Sequence, residues 1–184
     1  PIVNRCVRVL AEAVALVGGP QVRNIGTIGG NICNGVTSAD SASTLAAYDA
    51  VLEVTGPAGV RTIPIAQWYV GAGKVALGHA ELLTAILIKK ESFEGYCGHY
   101  IKYAMRNAMD IATLGCSVNV KLSSDKKTIL DVRAAYGVAG PVPMRAPTAE
   151  KAARGLPVST ETVEAFAKAA LGDVNPRTSW RATK

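Results

Sequence analysis

The apolar residues near the start of the chain recur at the spacing of an α-helix. Over residues 2–17, five apolar side chains fall on one helical face: Val3, Val7, Leu10, Val14 and Val17. The run Gly18-Gly19-Pro20 predicts the end of this helix. Further on, Asp40 and Ser41 are residue types that favour a helix N-terminus, so a short second helix is predicted over residues 42–48.

Strand patterns follow this helical region. Residues 51–55 and 60–65 flank the turn Gly56-Pro57-Ala58-Gly59, which is typical of a β-hairpin. The continuous apolar run over residues 82–88 predicts a buried strand. The polar, glycine-terminated stretch over residues 89–95 then indicates a boundary between two structural units.

We predict that these units comprise residues 1–91 and residues 92–184. The second opens on strands near residues 100–105 and over 129–138, whereas periodicity alone leaves 112–122 as either strand or helix. Helices are predicted near its end, over residues 148–154 and over residues 160–171, with one apolar face formed by Val163, Phe166, Ala167, Ala170 and Leu171. Strands first and helices last predict an α+β sandwich.

Composition excludes several classes of protein. The net charge is +6, and most of it lies in residues 92–184, which carry 13 Lys/Arg against 8 Asp/Glu. These basic residues are scattered, without the basic stripe typical of a nucleic-acid-binding surface. The longest apolar runs fall short of the roughly 20 residues that a membrane span needs. The 4 cysteines and 2 histidines form no ligand-like cluster, so no metal site is expected.

One glycine-rich segment carries the chemical information in the chain. Three glycines lie between Gly26 and Gly30, with Thr27, Asn31 and Asn34 among and after them. Glycine lets the backbone approach an anion closely, and successive N–H groups can bind a pyrophosphate. The spacing matches neither the phosphate loop of nucleoside triphosphatases nor the dinucleotide fingerprint. Spacing alone therefore favours an ordinary glycine-rich turn.

The amino-acid sequence of this segment, however, resembles a segment found in a known protein family. Residues 24–34, followed by Ser38-Ala39-Asp40, resemble the second flavin-binding segment of the molybdenum hydroxylase flavoproteins, the FAD-carrying subunits of xanthine dehydrogenase, carbon monoxide dehydrogenase and their relatives. Further stretches similar to the family follow in the same order as in its members: residues 102–112, 136–139, 143–146 and 176–182. The first of these stretches is most similar to the bacterial xanthine dehydrogenase type.

The resemblance implies a particular fold and extent. It implies the second lobe of a two-lobed FAD-binding domain, followed by the small α/β sandwich of the flavoprotein C-terminal domain, an antiparallel sheet with helices. It favours a strand for residues 112–122. The family's first glycine-rich loop, which holds the other side of the FAD pyrophosphate, has no counterpart before residue 23. We therefore expect an internal fragment that lacks the N-terminal FAD lobe.

The resemblance also implies which residues contact FAD. The segment Thr27, Ile28, Gly29, Gly30 and Asn31 would bind FAD mainly through backbone N–H groups and the Thr27 and Asn31 side chains. Asp40 would accept hydrogen bonds from cofactor hydroxyls, and could also serve as a helix N-cap.

Two further positions are implied in the same way. Leu83 would pack on the flavin, although a plain core leucine is nearly as good a reading. Lys102 would lie near the cofactor. This assignment is weaker, because a lysine that alternates with Ile101 and Tyr103 would otherwise lie on the solvent face of a strand. Arg106 and Asp110 belong to the same motif, but a buried structural ion pair explains them at least as well as chemistry. No catalytic residue is expected, because in this family the flavin carries the chemistry.

The implied function is electron transfer. The chain would be the FAD-binding part of a cytoplasmic xanthine dehydrogenase-like oxidoreductase, inactive by itself. Partner subunits would carry the molybdenum cofactor and the two-iron clusters, and electrons would pass through FAD to an acceptor such as NAD. The alternatives are the flavoprotein of a carbon monoxide, nicotinate or aldehyde dehydrogenase, or a folded subunit-contact module unable to hold FAD without its missing lobe.

Overall fold

A computed structural model describes residues 2–183. Its helices are α1 Ile2–Cys6, α2 Arg8–Ala15, α3 Pro20–Ile25, α4 Ile28–Cys33, α5 Asp40–Ala47, α6 Ile65–Trp68, α7 Pro147–Ala153 and α8 Thr160–Asp173. Its strands are β1 Val51–Gly56, β2 Gly59–Pro64, β3 Tyr69–Gly71, β4 Lys74–Val75, β5 Leu82–Leu87, β6 Tyr96–Tyr103, β7 Leu114–Leu122, β8 Ile129–Gly137 and β9 Met144–Arg145. None of the helices within residues 2–183 is long and apolar enough to cross a membrane.

The strands form three antiparallel groups. The first sheet has the order β2-β1-β5, the second sheet has the order β6-β7-β8-β9, and β3 pairs with β4 in a small ribbon. The predicted hairpin is confirmed, since Gly56 pairs with Gly59 across a two-residue loop. Strands and helices in two sheets and covering layers confirm the α+β class, and β7 confirms the strand that resemblance favoured for residues 112–122.

Helix α5 lies at the centre of the molecule. All of its residues, Asp40–Ala47, are buried, and it packs against α2 on one side and against β7 and β8 on the other. Its sequence is DSASTLAA, and these mostly small side chains let the helix approach the second sheet closely. The core around it includes Leu45, Leu52 and Trp68, together with Tyr100 of the second sheet. The two sheets are therefore joined through one short helix.

Ion pairs reinforce this junction at the far end of α5. Arg145 of β9 donates from Nη1 to Asp49 Oδ1 at 2.6 Å, and Asp49 directly follows the α5 region. The same guanidinium grips the buried Glu150 with Nε and Nη2 at 2.6 and 2.9 Å. Arg133 of β8 approaches the second oxygen of Asp49 at 3.1 Å. Two cations of the second sheet thus hold the end of α5.

Two element predictions need correction. The single helix expected over residues 2–17 is interrupted at Val7, where φ and ψ are −131° and 54°, although Gly18 ends the region at φ +49° as predicted. The strand predicted to be buried over residues 82–88 is instead half exposed, with Leu82 73% and Leu87 44% exposed. It is an edge strand that pairs only with β1 among the described strands, so its side chains alternate between the core and solvent.

The apolar face predicted for the last helix was also wrong in part. Val163 and Leu171 are 60% and 74% exposed, whereas Thr162, Phe166 and Ala170 face the core. The reason is that contacts at both ends fix the rotation of α8. Ser159 caps its first turn by accepting from the N–H of Thr162 at 3.2 Å. At its other end, the Asp173 carboxylate accepts the first N–H groups of α7, from Thr148 at 3.2 Å and from Ala149 at 3.0 Å.

The packing of α5 leads to a testable prediction. Ala42 is 0% exposed where α5 is enclosed, so Ala42→Leu adds side-chain volume to a filled space. We expect the free energy of unfolding to fall by about 1–3 kcal/mol, the usual penalty for overpacking. Denaturant titration measures this loss. Ala165→Leu on the exposed face of α8 is the matched control, and an equal change in both variants would show that α5 is not tightly packed.

Candidate functional site

The glycine-rich segment forms the start of a helix. Helix α3 ends at Ile25, and α4 begins at Ile28, immediately after Thr27. Thr27 is the N-cap of α4, since its Oγ1 accepts from the N–H of Gly30 at 2.9 Å. The segment that spacing alone would make an ordinary turn is thus the start of a capped helix, and none of its three glycines has a positive φ. Thr27 is a residue type that favours a helix N-cap, and it was the local signal for this capped helix.

The glycines of this segment allow neighbouring parts of the chain to approach one another closely. A Cβ on Gly26 would lie 2.9 Å from the carbonyl oxygen of Val22, which places it too close to the end of α3. A Cβ on Gly30 would lie 3.1 Å from the capping oxygen of Thr27. A Cβ on Gly29 would lie 3.5 Å from Leu83 Cδ2, in ordinary contact. The N-terminus of α4 thus carries little side-chain bulk.

Backbone donors remain available at this helix end. The first N–H groups of any helix have no intrahelical acceptor. Thr27 satisfies the one on Gly30, which leaves those of Ile28 and Gly29. The Ile28 side chain and Gly30 are exposed, and Leu83 of β5 is half-buried beside Gly29. Two backbone donors and one apolar side chain therefore lie together at the surface.

Asn31 connects this helix to α5. Its Oδ1 accepts from the Ser41 hydroxyl at 2.5 Å, and Ser41 lies in the first turn of α5. Neighbouring Asp40 begins the same helix. The position of α4 is thereby tied to the position of the Asp40 carboxylate.

The Asp40 carboxylate is buried and paired on both oxygens. Oδ1 accepts from the Tyr100 hydroxyl at 2.7 Å, and Oδ2 accepts from Lys102 Nζ at 2.8 Å. The side chains of Asp40 and Lys102 are 5% and 9% exposed. Lys102 also donates to the carbonyl oxygen of Leu16 at 2.9 Å. This ion pair links α5 with strand β6 and with the segment after α2.

Two surface clefts flank this arrangement. A cleft of about 540 Å³ is lined by apolar side chains of residues 3–22 and, in the glycine-rich segment, by Gly26, Thr27, Ile28, Gly30 and Asn31. A second cleft of about 610 Å³ is bordered by Gly18 and Gly19, by Lys102, and by the loop from Ala104 to Asp110. Arg23 borders both clefts, and its Nη1 donates to the carbonyl oxygens of Val17 and Gly18 at 2.9 and 3.2 Å.

The structure brings the sequence-predicted residues into one region. Gly29 adjoins Leu83, Asn31 reaches the start of α5, and Asp40 holds Lys102. Lys102 does not lie on the solvent face of its strand, which was the alternative left open.

For other residues, the fold differs from the expectation drawn from the sequence. Arg106 pairs with Asp110 at 3.6 Å, but its side chain is 69% exposed, so the pair is a local loop contact and not a buried one. Sequence reasoning missed Tyr100 and Arg23. Tyr100 stands two residues before Lys102 on one strand, and that spacing could have placed both on the same face.

Comparison with known proteins agrees with these features. Residues 1–89 match the FAD binding domain in molybdopterin dehydrogenase, and residues 99–184 match the CO dehydrogenase flavoprotein C-terminal domain. A xanthine dehydrogenase FAD-binding subunit from Escherichia coli O157:H7 is 45% identical over 183 residues, covering 100% of this chain and 62% of that protein. The carbon monoxide dehydrogenase medium chain of Hydrogenophaga pseudoflava is 32% identical over 176 residues, covering 96% of this chain and 60% of that protein.

Solved structures give the same result. A carbon monoxide dehydrogenase from Hydrogenophaga pseudoflava that lacks the Mo-pyranopterin moiety of its molybdenum cofactor superposes with a TM-score of 0.92 at 34% identity, over 99% of this chain and 62% of that one. The two domain matches and the fold define an FAD-binding domain joined to a flavoprotein C-terminal domain. The chain belongs to the flavoprotein family of the molybdopterin dehydrogenases, and it spans about three fifths of the length of the relatives it matches.

The buried ion pair at the site gives a stability prediction. Lys102→Met leaves the Asp40 carboxylate without its cation, and breaking a buried pair in this way costs about 3–5 kcal/mol of unfolding free energy. Asp40→Asn combined with Lys102→Met removes both charges and should cost less than Lys102→Met alone. Denaturant titration of the single and double variants measures the difference.

The matched control is the exposed pair Lys90–Glu94. Its side chains are 71% and 63% exposed, so Lys90→Met should change stability by less than about 1 kcal/mol. Equal losses for Lys102→Met and Lys90→Met would contradict a stabilising role for the buried pair.

Proposed function

We propose that this chain binds FAD at the α4 N-terminus and beside Lys102. The observation that carries the proposal is the continuous path of contacts from Gly29 and Leu83, through Asn31 and Ser41, to Asp40 and Lys102. These residues come from α4, α5, β5 and β6, and the resemblance to FAD-binding proteins had selected nearly all of them.

The residues at the α4 N-terminus fit a phosphate-bearing cofactor. The N–H groups of Ile28 and Gly29 remain to donate, and a helix N-terminus carries partial positive charge that favours phosphate. The absence of a side chain at Gly29 and Gly30 lets a bulky anion approach the backbone. Thr27, already engaged as the N-cap, would orient these donors, and Asn31 would hold α4 in place while its amide N–H₂ remains free to donate.

The remaining residues would supply an apolar wall and a charge. Leu83 beside Gly29 offers a hydrophobic surface for a flat ring or sugar. Lys102 has three N–H donors and uses two of them on Asp40 and Leu16, so one remains for the cofactor. Asp40 itself is buried, and in this arrangement its main part is to hold Lys102.

The activity that we propose is electron transfer within a xanthine dehydrogenase-like molybdenum hydroxylase. Bound FAD would supply the capacity to take up and release electrons. We propose that electrons arrive from two-iron clusters of a partner subunit, after oxidation of substrate at a molybdenum cofactor on another, and leave to an acceptor such as NAD. A cytoplasmic location accompanies this proposal.

A second candidate is the flavoprotein of a carbon monoxide dehydrogenase or another relative. The observation in its favour is the structural match at a TM-score of 0.92. The xanthine type is preferred because its sequence identity is 45%, against 32% for the carbon monoxide type, over nearly the whole chain in both cases.

Cofactor retention tests the proposed site directly. The purified chain is mixed with excess FAD and desalted, and its visible absorption spectrum is recorded. We expect a retained flavin band that is lost in Gly30→Trp, because the indole would fill the space at the α4 N-terminus and displace the Thr27 cap. Gly172→Trp, at an exposed glycine of α8 with open space around it, is the control and should keep the band.

A colourless but folded chain would favour the subunit-contact alternative. The same measurement on the native polypeptide then decides the matter. If that protein also fails to retain FAD, the proposed site is wrong.

Substrate class is tested in the native complex. Anaerobic addition of xanthine should bleach the flavin band, because electrons from the substrate would reach the FAD held by this chain. Carbon monoxide added under the same conditions should leave the band unchanged. Bleaching by carbon monoxide and not by xanthine would select the second candidate.

A further inference from the structure

The phenol of Tyr100 is buried at the junction of α5 and the second sheet. Its side chain lies on β6 and is 3% exposed, and its hydroxyl donates to Asp40 Oδ1 at 2.7 Å. Its backbone N–H donates to Glu12 Oε2 of α2 at 3.3 Å. The ring is therefore fixed at both its backbone and its tip, and the tip contacts the carboxylate that binds Lys102.

Tyr100 and Lys102 hold the two oxygens of the same carboxylate. They are two residues apart on one strand, so their side chains lie on the same face. Asp40 thus bridges a neutral donor and an ammonium, and neither Asp40 nor Tyr100 borders the cleft of about 610 Å³ that Lys102 borders. Asp40 and Tyr100 can therefore influence that cleft through the position of Lys102.

The neighbouring strand leaves room for the hydroxyl. Gly115 of β7 pairs directly with Lys102, and a Cβ on Gly115 would lie 2.7 Å from Tyr100 Oη. Any larger residue at Gly115 would displace the hydroxyl from its place beside Asp40. The hydrogen bond from Tyr100 to Asp40 therefore depends on glycine at position 115 of the adjacent strand.

The hydroxyl of Tyr100 is a donor to Asp40. Burial raises the pKa of Tyr100, and the adjacent Asp40 carboxylate raises it further. A raised pKa keeps the phenol protonated over the neutral range, so the hydrogen bond to the carboxylate persists there.

We propose that Tyr100 is a positioning residue for the flavin site: its hydrogen bond fixes the orientation of Asp40, which holds the Lys102 ammonium at the edge of the cleft. The proposal rests on the proposed function, since it gives Lys102 a cofactor to contact. Tyr100 itself touches no cofactor. It acts on binding through two other side chains.

Tyr100→Phe in the native polypeptide is the principal test. Loss of one hydrogen bond to a charged group should raise the dissociation constant for FAD about tenfold. At saturating FAD, the visible circular dichroism of the bound flavin should change in the same direction as in Lys102→Met. Simple destabilisation of the fold would leave that saturated signal unchanged, because every folded molecule would then bind its flavin in the native way.

A double-variant comparison separates positioning from packing. If Tyr100 acts through Lys102, Tyr100→Phe should weaken FAD binding no further in a protein that already carries Lys102→Met. Tyr136→Phe is the matched control, because Tyr136 is a half-buried phenol on the next strand but one, away from Asp40. It should alter neither FAD affinity nor the dichroism.

Gly115→Ala provides a second route if Tyr100→Phe folds poorly. It keeps the phenol but displaces the hydroxyl, and it should reproduce the weakened binding and the altered dichroism. Unchanged FAD binding and dichroism in both variants, with FAD bound normally by the unsubstituted protein, would overturn the positioning role alone. Failure of the unsubstituted protein to bind FAD would overturn the proposed function and this inference together.

Discussion

The burial of the Asp40 carboxylate is the constraint on which the rest of the structure depends. A charged group can be enclosed in a protein only when it is paired and hydrogen-bonded. Here the partners, Tyr100 and Lys102, lie some sixty residues further along the chain, on the first strand of the second sheet. Helix α5 can therefore occupy the centre of the molecule only when that sheet is docked against it.

This dependence joins architecture to function. Small side chains let α5 pack closely on β7 and β8, and the pairing of Asp40 fixes the rotation of the helix as well as its depth. Ser41, in the same turn, then reaches Asn31 and sets the place of α4. The backbone donors at the start of α4 and the ammonium of Lys102 thus acquire defined relative positions from one buried helix turn. At the opposite end of α5, Arg145 and Asp49 secure the same junction.

The glycine-rich segment illustrates how a motif is read differently with and without tertiary structure. Its spacing suggests a turn, and glycine suggests positive φ. In the fold, the segment is instead the first turn of a capped helix, and Gly26 and Gly30 prevent crowding by Val22 and Thr27. The identity of the residues carried the chemical information, whereas their local conformation depended on neighbours that sequence spacing does not reveal.

The sequence by itself determined the α+β class, the hairpin, strands β6, β7 and β8 of the second sheet, the family, and the residues that we propose contact FAD. The alternation of apolar and polar residues, the turn residues and the similarity to the family along the chain can all be read from the amino-acid sequence. Only the tertiary structure decided which strand lies at an edge, which face of α8 is buried, and which groups pair with Asp40. The physical reason is that edge position, helix rotation and the pairing of buried charges depend on contacts between residues far apart in sequence. Local periodicity carries no information about such contacts.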